Sequence, residues 1–383
     1  MVTPVTNAPI PFNRPSVVGK EIENILDAIE RGRLSGDGHF TELCSARIVQ
    51  LTGAKSALLT HSCTAALEMA SILCDLGEGD EVVMPSFTFV STANAVALRR
   101  ATPVFVDVAP GTLNIDPAAA ERAVTPRTKA ICAVHYAGSP ADMDALRAVC
   151  NAHDLALIED AAQALGSLYK GRPAGSLGDL AAFSFHETKN LISGEGGALA
   201  INNEQYLERA EIIREKGTNR KSFSRGEIDR YSWVDIGSSF LPGELIAAFL
   251  YGQLERHEEI LARRRALFDR YEAAFQDLAA AEEISLPVIP ADRRANGHMF
   301  YFLLRSEQQR SAFIAHMGAH GVGTPFHYVP LHSAPAGKRL ARTHGSLSVT
   351  EDSAKRLVRL PMFFELEDGA DRVIELVRAF FKR

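Results

Sequence analysis

Short apolar runs alternate with amphipathic stretches along the first half of the chain. Seven of these runs read as strands: Ala57–Thr60, Glu81–Met84, Pro103–Asp107, Ala130–Val134, Leu155–Ile158, Asp179–Phe185 and Ala198–Ile201. Apolar positions at helical spacing predict helices over Thr64–Cys74, Ser91–Arg99, Met143–His153 and Glu204–Lys216. The runs are too apolar for a sheet with one wet face, so the alternation predicts a mostly parallel sheet covered by helices on both sides. Upstream, Ile22, Ile25, Leu26 and Ile29 mark an amphipathic helix, Leu34–Gly38 reads as a glycine loop, and a further helix is expected from Phe40 to Thr52.

Downstream of Glu204–Lys216 the pattern changes. A polar loop, Gly217–Trp233, precedes a long helical region starting near Pro242, with Leu245, Ala248, Leu254, Ile260 and Leu267 as its periodic positions. Phe300–Leu304 reads as a strand, a histidine-bearing segment Phe326–His332 follows, and Asp371–Lys382 reads as a closing helix. The expected organisation is α/β, with a large domain over residues 1–250 and a smaller one over 251–383.

Composition changes this picture only by exclusion. A net charge of −6 gives no support for a nucleic-acid partner. No apolar run approaches the roughly 20 residues that span a bilayer, and the first residues lack the basic and apolar regions of a signal peptide. Five cysteines, with no Cys-x-x-Cys pair, indicate neither a disulfide framework nor a metal site. The expectation is a reduced, cytoplasmic protein with no metal and no membrane contact.

Candidate chemistry gathers where the strands end, the place where such sheets collect their sites. Thr60–Thr64, Pro85–Phe89, His135, Asp160 and Ser184–Lys189 all fall at or just beyond strand ends, so one crevice could hold them. Lys189 lies in the loop between two apolar strands, in Ser184-Phe-His-Glu-Thr-Lys189, closed by Gly194-Glu-Gly-Gly197. Asp160 ends a buried strand, and Ser62-Cys63-Thr64 opens a helix. Taken alone, Asp160 could be a helix cap and Ser62–Thr64 an ordinary N-terminus. Together, the acid, the anion-binding helix end and the lysine are what pyridoxal phosphate (PLP) needs. Asp160 would stabilise the ring-nitrogen proton, Ser184 would add a hydroxyl to the phosphate, and Phe89 could stack on the ring. Lys189 would hold the cofactor and, once displaced, move the proton. His186 and Glu187 lie close enough in sequence to share the pocket.

These motifs, with Glu159-Asp-Ala-Ala-Gln163 and Pro85-Ser-Phe-Thr-Phe89, resemble the DegT/StrS-type sugar-nucleotide aminotransferases over nearly the whole chain. Within that family the likeness is strongest to the dTDP-4-amino-4,6-dideoxygalactose transaminases, through Leu34–Gly38, His135–Gly138, Arg214–Arg220, Asp235–Ser239 and Phe326–His332. The resemblance implies PLP-dependent transferase fold type I, with a mostly parallel seven-stranded sheet between helices and a smaller C-terminal α+β domain. It implies a homodimer with active sites at the interface. Lys189 matches the cofactor-bearing lysine, Asp160 the partner of the ring nitrogen, and Gln163 the residue near the cofactor's phenolic oxygen. Ser184, Cys63 and Thr64 match phosphate ligands, Phe89 the stacking aromatic and His327 a position near the substrate. Two departures stand out. Ser239 takes the place of an asparagine that reaches the phosphate from the neighbouring subunit, and the Lys189–Gly194 loop is one residue shorter than in similar members.

The implied reaction carries the amine of L-glutamate to the C4 ketone of dTDP-4-dehydro-6-deoxy-D-glucose, for cell-surface polysaccharide such as an O-antigen. Related PLP-dependent sugar 3-dehydratases have histidine where this chain has Lys189, which speaks against that chemistry. A dinucleotide-dependent oxidoreductase would want Gly-x-Gly-x-x-Gly after an early strand, and neither Gly36-Asp-Gly38 nor Gly194-Glu-Gly196 completes it. A non-catalytic regulator on the same fold is a third reading, which the intact lysine, acid and glutamine set opposes.

Overall fold

The computed structural model describes residues 8–367 and 369–382. The amino-terminal stretch before residue 8, read above for a leader, lies outside them. Strands of the two larger sheets are, in chain order, β1 (Ser56–Thr60), β2 (Glu81–Pro85), β3 (Thr102–Val106), β4 (Thr128–Val134), β5 (Ala156–Asp160), β6 (Leu180–Ser184), β7 (Gly197–Ile201), β8 (Ile284–Ser285), β9 (Phe300–Leu304), β10 (Arg342–Thr343) and β11 (Leu357–Leu360). The main sheet runs β1-β7-β6-β5-β4-β2-β3-β10, and β8-β9-β11 form a second, antiparallel one. Within the main sheet only β7 runs against its neighbours, paired antiparallel to both β1 and β6.

Alternation along each strand explains why the runs are so apolar. On β4, Ala130 and Cys132 pack into the core on the side of the helix Cys63–Leu73, whereas Ile131 and Ala133 pack into a second core on the other side. Ile158 and Leu157 divide in the same way on β5. Both faces are dry, as the parallel arrangement requires.

Seven strands match the seven sequence runs, and an eighth joins them. Arg342 on β10 makes two hydrogen bonds to the buried Glu81 carboxylate, 2.9 and 2.7 Å, and this pair clips the short strand to the outer edge of β3. A two-residue strand has no periodicity to detect.

The second sheet has its own core. Phe268, Tyr271 and Phe275 from the helix His257–Ala280 meet Phe300, Phe302, Val358 and Leu360, with Val373 and Val377 from the helix Gly369–Phe381. Full burial of each such aromatic contributes about 1.5–3 kcal/mol. Ile10 also belongs to this core, and it pairs with Val322. That anchors the chain's first described residues beside β11, from where Phe12 and Asn13 reach the main sheet's carboxyl end.

The long helical region is two helices, Glu244–Glu255 and His257–Ala280, parted at Arg256. The helix predicted around Ile22 forms as Glu21–Glu30, with an inverted exposure. Ile22, Leu26 and Ile29 are exposed, while Glu21 is buried and accepts hydrogen bonds from the Val18 and Gly19 amides. Among the described residues no helix is long and apolar enough to cross a membrane. All five cysteines are free thiols.

Candidate active site

At the carboxyl end of β1 the chain turns into the helix Cys63–Leu73. Ser62 caps it, its Oγ accepting from the Ala65 amide at 3.1 Å. The amides of Cys63 and Thr64 have no partner among the described residues, as the first turn of any helix dictates. They present two donors and the positive end of the helix dipole to one spot. Thr64 Oγ1 lies 2.7 Å from Ser91 Oγ, and Ser184 at the end of β6 lines the same cavity. Gly197, opposite Ser184 in the β6–β7 pair, lets this turn sit close. A Cβ there would stand 2.5 Å from the Cys63 nitrogen.

Asp160 ends β5 on the same face as Val134 of β4, and both line the cavity. Its Oδ2 accepts from Thr92 Oγ1 at 2.7 Å, and its Oδ1 from the Ala162 amide at 3.2 Å. Thr92 is fixed in turn by Thr88, 2.8 Å away. Phe89, 57% exposed, stands at the cavity wall with Tyr328 beside it.

The loop after β6 carries Lys189. Backbone hydrogen bonds from Phe185 to Gly196, Glu187 to Gly194 and Lys189 to His186 hold it as a compact turn. Burial lowers the Lys189 pKa, with nearby Cys63 and Asp160 opposing and Arg359 adding to the shift. The free amine, the form that acts as a base, is therefore easier to reach than on a solvated lysine.

The remaining wall comes from the chain beyond residue 250. His327 and Tyr328 follow the helix Glu307–Ala319 and face back over β4 and β5. Gln163 is held at both ends, its Oε1 accepting from the Ala137 amide at 2.7 Å and its Nε2 donating to Tyr328 Oη at 3.0 Å. Arg359 stacks on Phe12, 4.4 Å from the ring centre, and donates to the Phe326 carbonyl. Arg264, brought down to about 10 by burial, donates to the Gly297 and His298 carbonyls. Lys189, Arg264 and Arg359 thus face a cavity whose lining carboxylates are Asp160 and Glu195. The surplus is positive, which suits anionic ligands.

One cavity of about 700 Å³ therefore collects Cys63, Thr64, Phe89, Asp160, Gln163, Ser184, His186, Lys189 and His327. His186 sits at its lip, with Nδ1 2.9 Å from Thr188 Oγ1 and Nε2 3.7 Å from Glu195. Ser239 is elsewhere, lining a separate surface cavity with Asp37, Arg214 and Lys221. His135 is also outside the crevice. It points to the opposite face of the sheet, where its Nε2 meets Glu159 at 2.9 Å, because successive strand residues alternate sides. Thr92, Tyr328 and Arg359 were not singled out by sequence reasoning. Thr92 could have been, since it stands one helical turn from Thr88 in the same serine- and threonine-rich stretch.

These groups fit pyridoxal phosphate. The orphaned Cys63 and Thr64 amides suit a phosphate, the Thr92-braced carboxylate a protonated ring nitrogen, and the desolvated lysine a carbonyl.

Comparison with known proteins agrees with this chemistry. The sequence profile of the DegT/DnrJ/EryC1/StrS aminotransferase family matches residues 15–378. The chain is 34% identical to the spore coat polysaccharide biosynthesis protein SpsC of Bacillus subtilis (strain 168), covering 97% of each chain. Among solved structures, DesV of S. venezuelae superposes with a TM-score of 0.89 at 33% identity, covering 98% of this chain and 99% of that one. DesI, solved in the presence of its TDP-sugar product, superposes with a TM-score of 0.86 at 30% identity, covering 97% and 92%.

Proposed function

Because this chain belongs to the DegT/DnrJ/EryC1/StrS aminotransferase family, we propose that it carries the amino group of L-glutamate to the C4 ketone of dTDP-4-dehydro-6-deoxy-D-glucose. The product would be dTDP-4-amino-4,6-dideoxy-D-galactose. The family makes the chain a PLP-dependent aminotransferase of fold type I. The observation that carries the proposal is the meeting of Lys189, Asp160 and the free Cys63 and Thr64 amides on one cavity. The nucleotide-linked keto-sugar is supported by the sequence likeness and by the TDP-sugar product of DesI. A role in polysaccharide synthesis is supported by the name of SpsC.

When bound, PLP would supply an electron sink for the amine transfer. The chain's residues do the rest. Cys63 and Thr64 amides, with the Thr64 and Ser184 hydroxyls, hold the phosphate. Asp160, braced by Thr92, holds the proton on the ring nitrogen, and Gln163 attends the phenolic oxygen. Phe89 covers one ring face. Lys189 anchors the cofactor, and its free amine then carries the proton in both halves of the exchange. His186 and His327 face the substrate.

We also propose a homodimer with shared sites, each chain dividing near residue 250 and working in the cytoplasm. The exposed stripe of Ile22, Leu26 and Ile29 offers an apolar face for a second copy, and Trp233, at 80% exposure, is a further apolar surface residue. Ser239 would then serve the neighbouring site rather than its own.

An absorption spectrum tests the core of this reading. Purified protein with PLP should show a visible band that L-glutamate converts to a near-ultraviolet one, and Lys189→Ala should lack the starting band. Candidate keto-sugars are then ranked by how fully each restores it. If wild type shows no such band after PLP is added, the assignment fails at its cofactor.

A further inference from the structure

Tyr136 does not line the cavity, yet its phenol reaches a residue that does. Its Oη lies 3.1 Å from His327 Nδ1, both side chains are buried, and Tyr136 is fully enclosed by Phe87, Tyr301 and Tyr328. The Asn114 side chain holds the Tyr136 amide at 2.8 Å, which sets the ring's place.

The direction of this hydrogen bond follows from counting donors. A phenol has one proton, and a neutral imidazole has one N–H. Were Nδ1 to donate, the buried Tyr136 proton would be left without an acceptor, since His327 is the one hydrogen-bond partner of its Oη among the described residues. That costs about 1–3 kcal/mol. If Tyr136 donates instead, its proton and the Nδ1 lone pair are both satisfied, and the imidazole proton must sit on Nε2. That nitrogen has no partner among the described residues, while the ring lines the cavity.

We propose that Tyr136 is a positioning residue that fixes His327 in its Nε2–H form, so that the histidine meets the substrate as a neutral hydrogen-bond donor. The ligand it would serve is an oxygen acceptor, a keto or hydroxyl oxygen of the bound sugar. That identification rests on the aminotransferase reading, whereas the tautomer does not. The surroundings agree on neutrality. Burial, first, and then Arg359 and Lys189 push the His327 pKa well below the ordinary histidine value. Other titratable groups around it are His298, whose own pKa is pushed down by burial, and the phenols Tyr136 and Tyr328, which burial keeps protonated. A histidine in this state cannot act as a cation toward the sugar nucleotide.

The test is a histidine-labelled nitrogen-15 correlation spectrum of the full-length protein with PLP, with His327→Gln assigning the signal. Wild type should show His327 as the Nε2–H tautomer throughout pH 6–8. In Tyr136→Phe the signal should move toward a mixture of tautomers, and protonation should begin at higher pH. The KM for the keto-sugar should rise about tenfold, more than kcat falls. An Nδ1–H or doubly protonated His327 in wild type at neutral pH overturns the proposal, and so does an unchanged signal in Tyr136→Phe. Should that variant not fold, the wild-type spectrum decides alone. Failure of glutamate to convert the cofactor band would sink the aminotransferase reading and leave the tautomer result standing.

Discussion

Gly197→Ala should weaken PLP binding through a contact of the backbone, not through strain. The added Cβ would stand 2.3 Å from the Ser62 carbonyl carbon and 2.5 Å from the Cys63 nitrogen. Ordinary contacts are about 3.5–4.0 Å, so the turn must retreat by roughly 1 Å. It cannot retreat freely. Thr60 pairs with Gly197 across β1 and β7, and the Thr60 hydroxyl donates to the Ser62 carbonyl at 2.8 Å. Overpacking of this kind costs about 1–3 kcal/mol of stability. The displaced amides are those offered to the phosphate, and each hydrogen bond to a charged acceptor contributes about 1.5–3 kcal/mol. Loss of both implies a fall in PLP affinity of about 100-fold or more. Pyridoxal, which lacks the phosphate, should lose far less. Gly194→Ala is the control, because Gly194 has φ +80 and open space around it. That change costs about 1–2 kcal/mol of backbone strain and should lower Tm while leaving PLP affinity within about threefold. Fluorescence titration with PLP and with pyridoxal reads both. A Gly197→Ala protein that binds PLP within threefold of wild type would refute the cradle.

Two further expectations concern the scaffold and the assembly. Hydrogen bonding from Arg342 first, and then from Thr125 and Arg127 against the opposing effect of burial, holds the Glu81 carboxyl at about 2. A depressed folded value stabilises fully above the unfolded value of about 4.3, and the benefit is lost as pH falls toward 2. Glu81→Gln should therefore melt lower at pH 7, by about 1–2 kcal/mol after allowance for the exposed Arg127, and show a shallower acid decline. Equal losses for both proteins between pH 5 and 2 would contradict this. Leu26→Lys should shift the chain from dimer to monomer in sedimentation at micromolar concentration. An unchanged mass would remove the helix Glu21–Glu30 from the interface.

The parts of the fold legible in sequence are those whose burial is uniform. Strands β1 to β7 fall within about two residues of the expected runs because buried strands are apolar on both faces. The direction of β7 was not legible, since a run of Ala-Leu-Ala-Ile is equally apolar whichever way it pairs. Nor were β8 in the small sheet and β10 at the edge of the main one, as each has only two residues. The helix Glu21–Glu30 shows the limit from the other side: its spacing announces a helix, but the same stripe would serve a core or an outer face. In the site, Lys189, Asp160 and Thr64 were legible because their chemistry differs from their apolar context. Thr92, Tyr328 and Arg359 act through partners far away in the chain, and a sequence does not carry such distances.

His135 and Asp160 make the same point within one pair of strands. Both are polar residues at the ends of apolar runs, and position at a strand end alone does not separate them. The pleat separates them: Asp160 faces the cavity beside Thr92, while Glu159, one residue earlier, faces away and binds His135. Glu159 also accepts from the amides of Gly175, Leu177 and Gly178. Burial would raise its pKa, but His135 and the Gly175 and Gly178 amides outweigh burial and lower it, so the carboxylate stays charged and holds the loop that leads into β6. That loop sets the start of the strand whose far end delivers Ser184 and Lys189. One acid at the end of β5 therefore faces the cavity proposed for the cofactor and its neighbour fixes the strand that brings the lysine, a division of labour decided by a single residue of register.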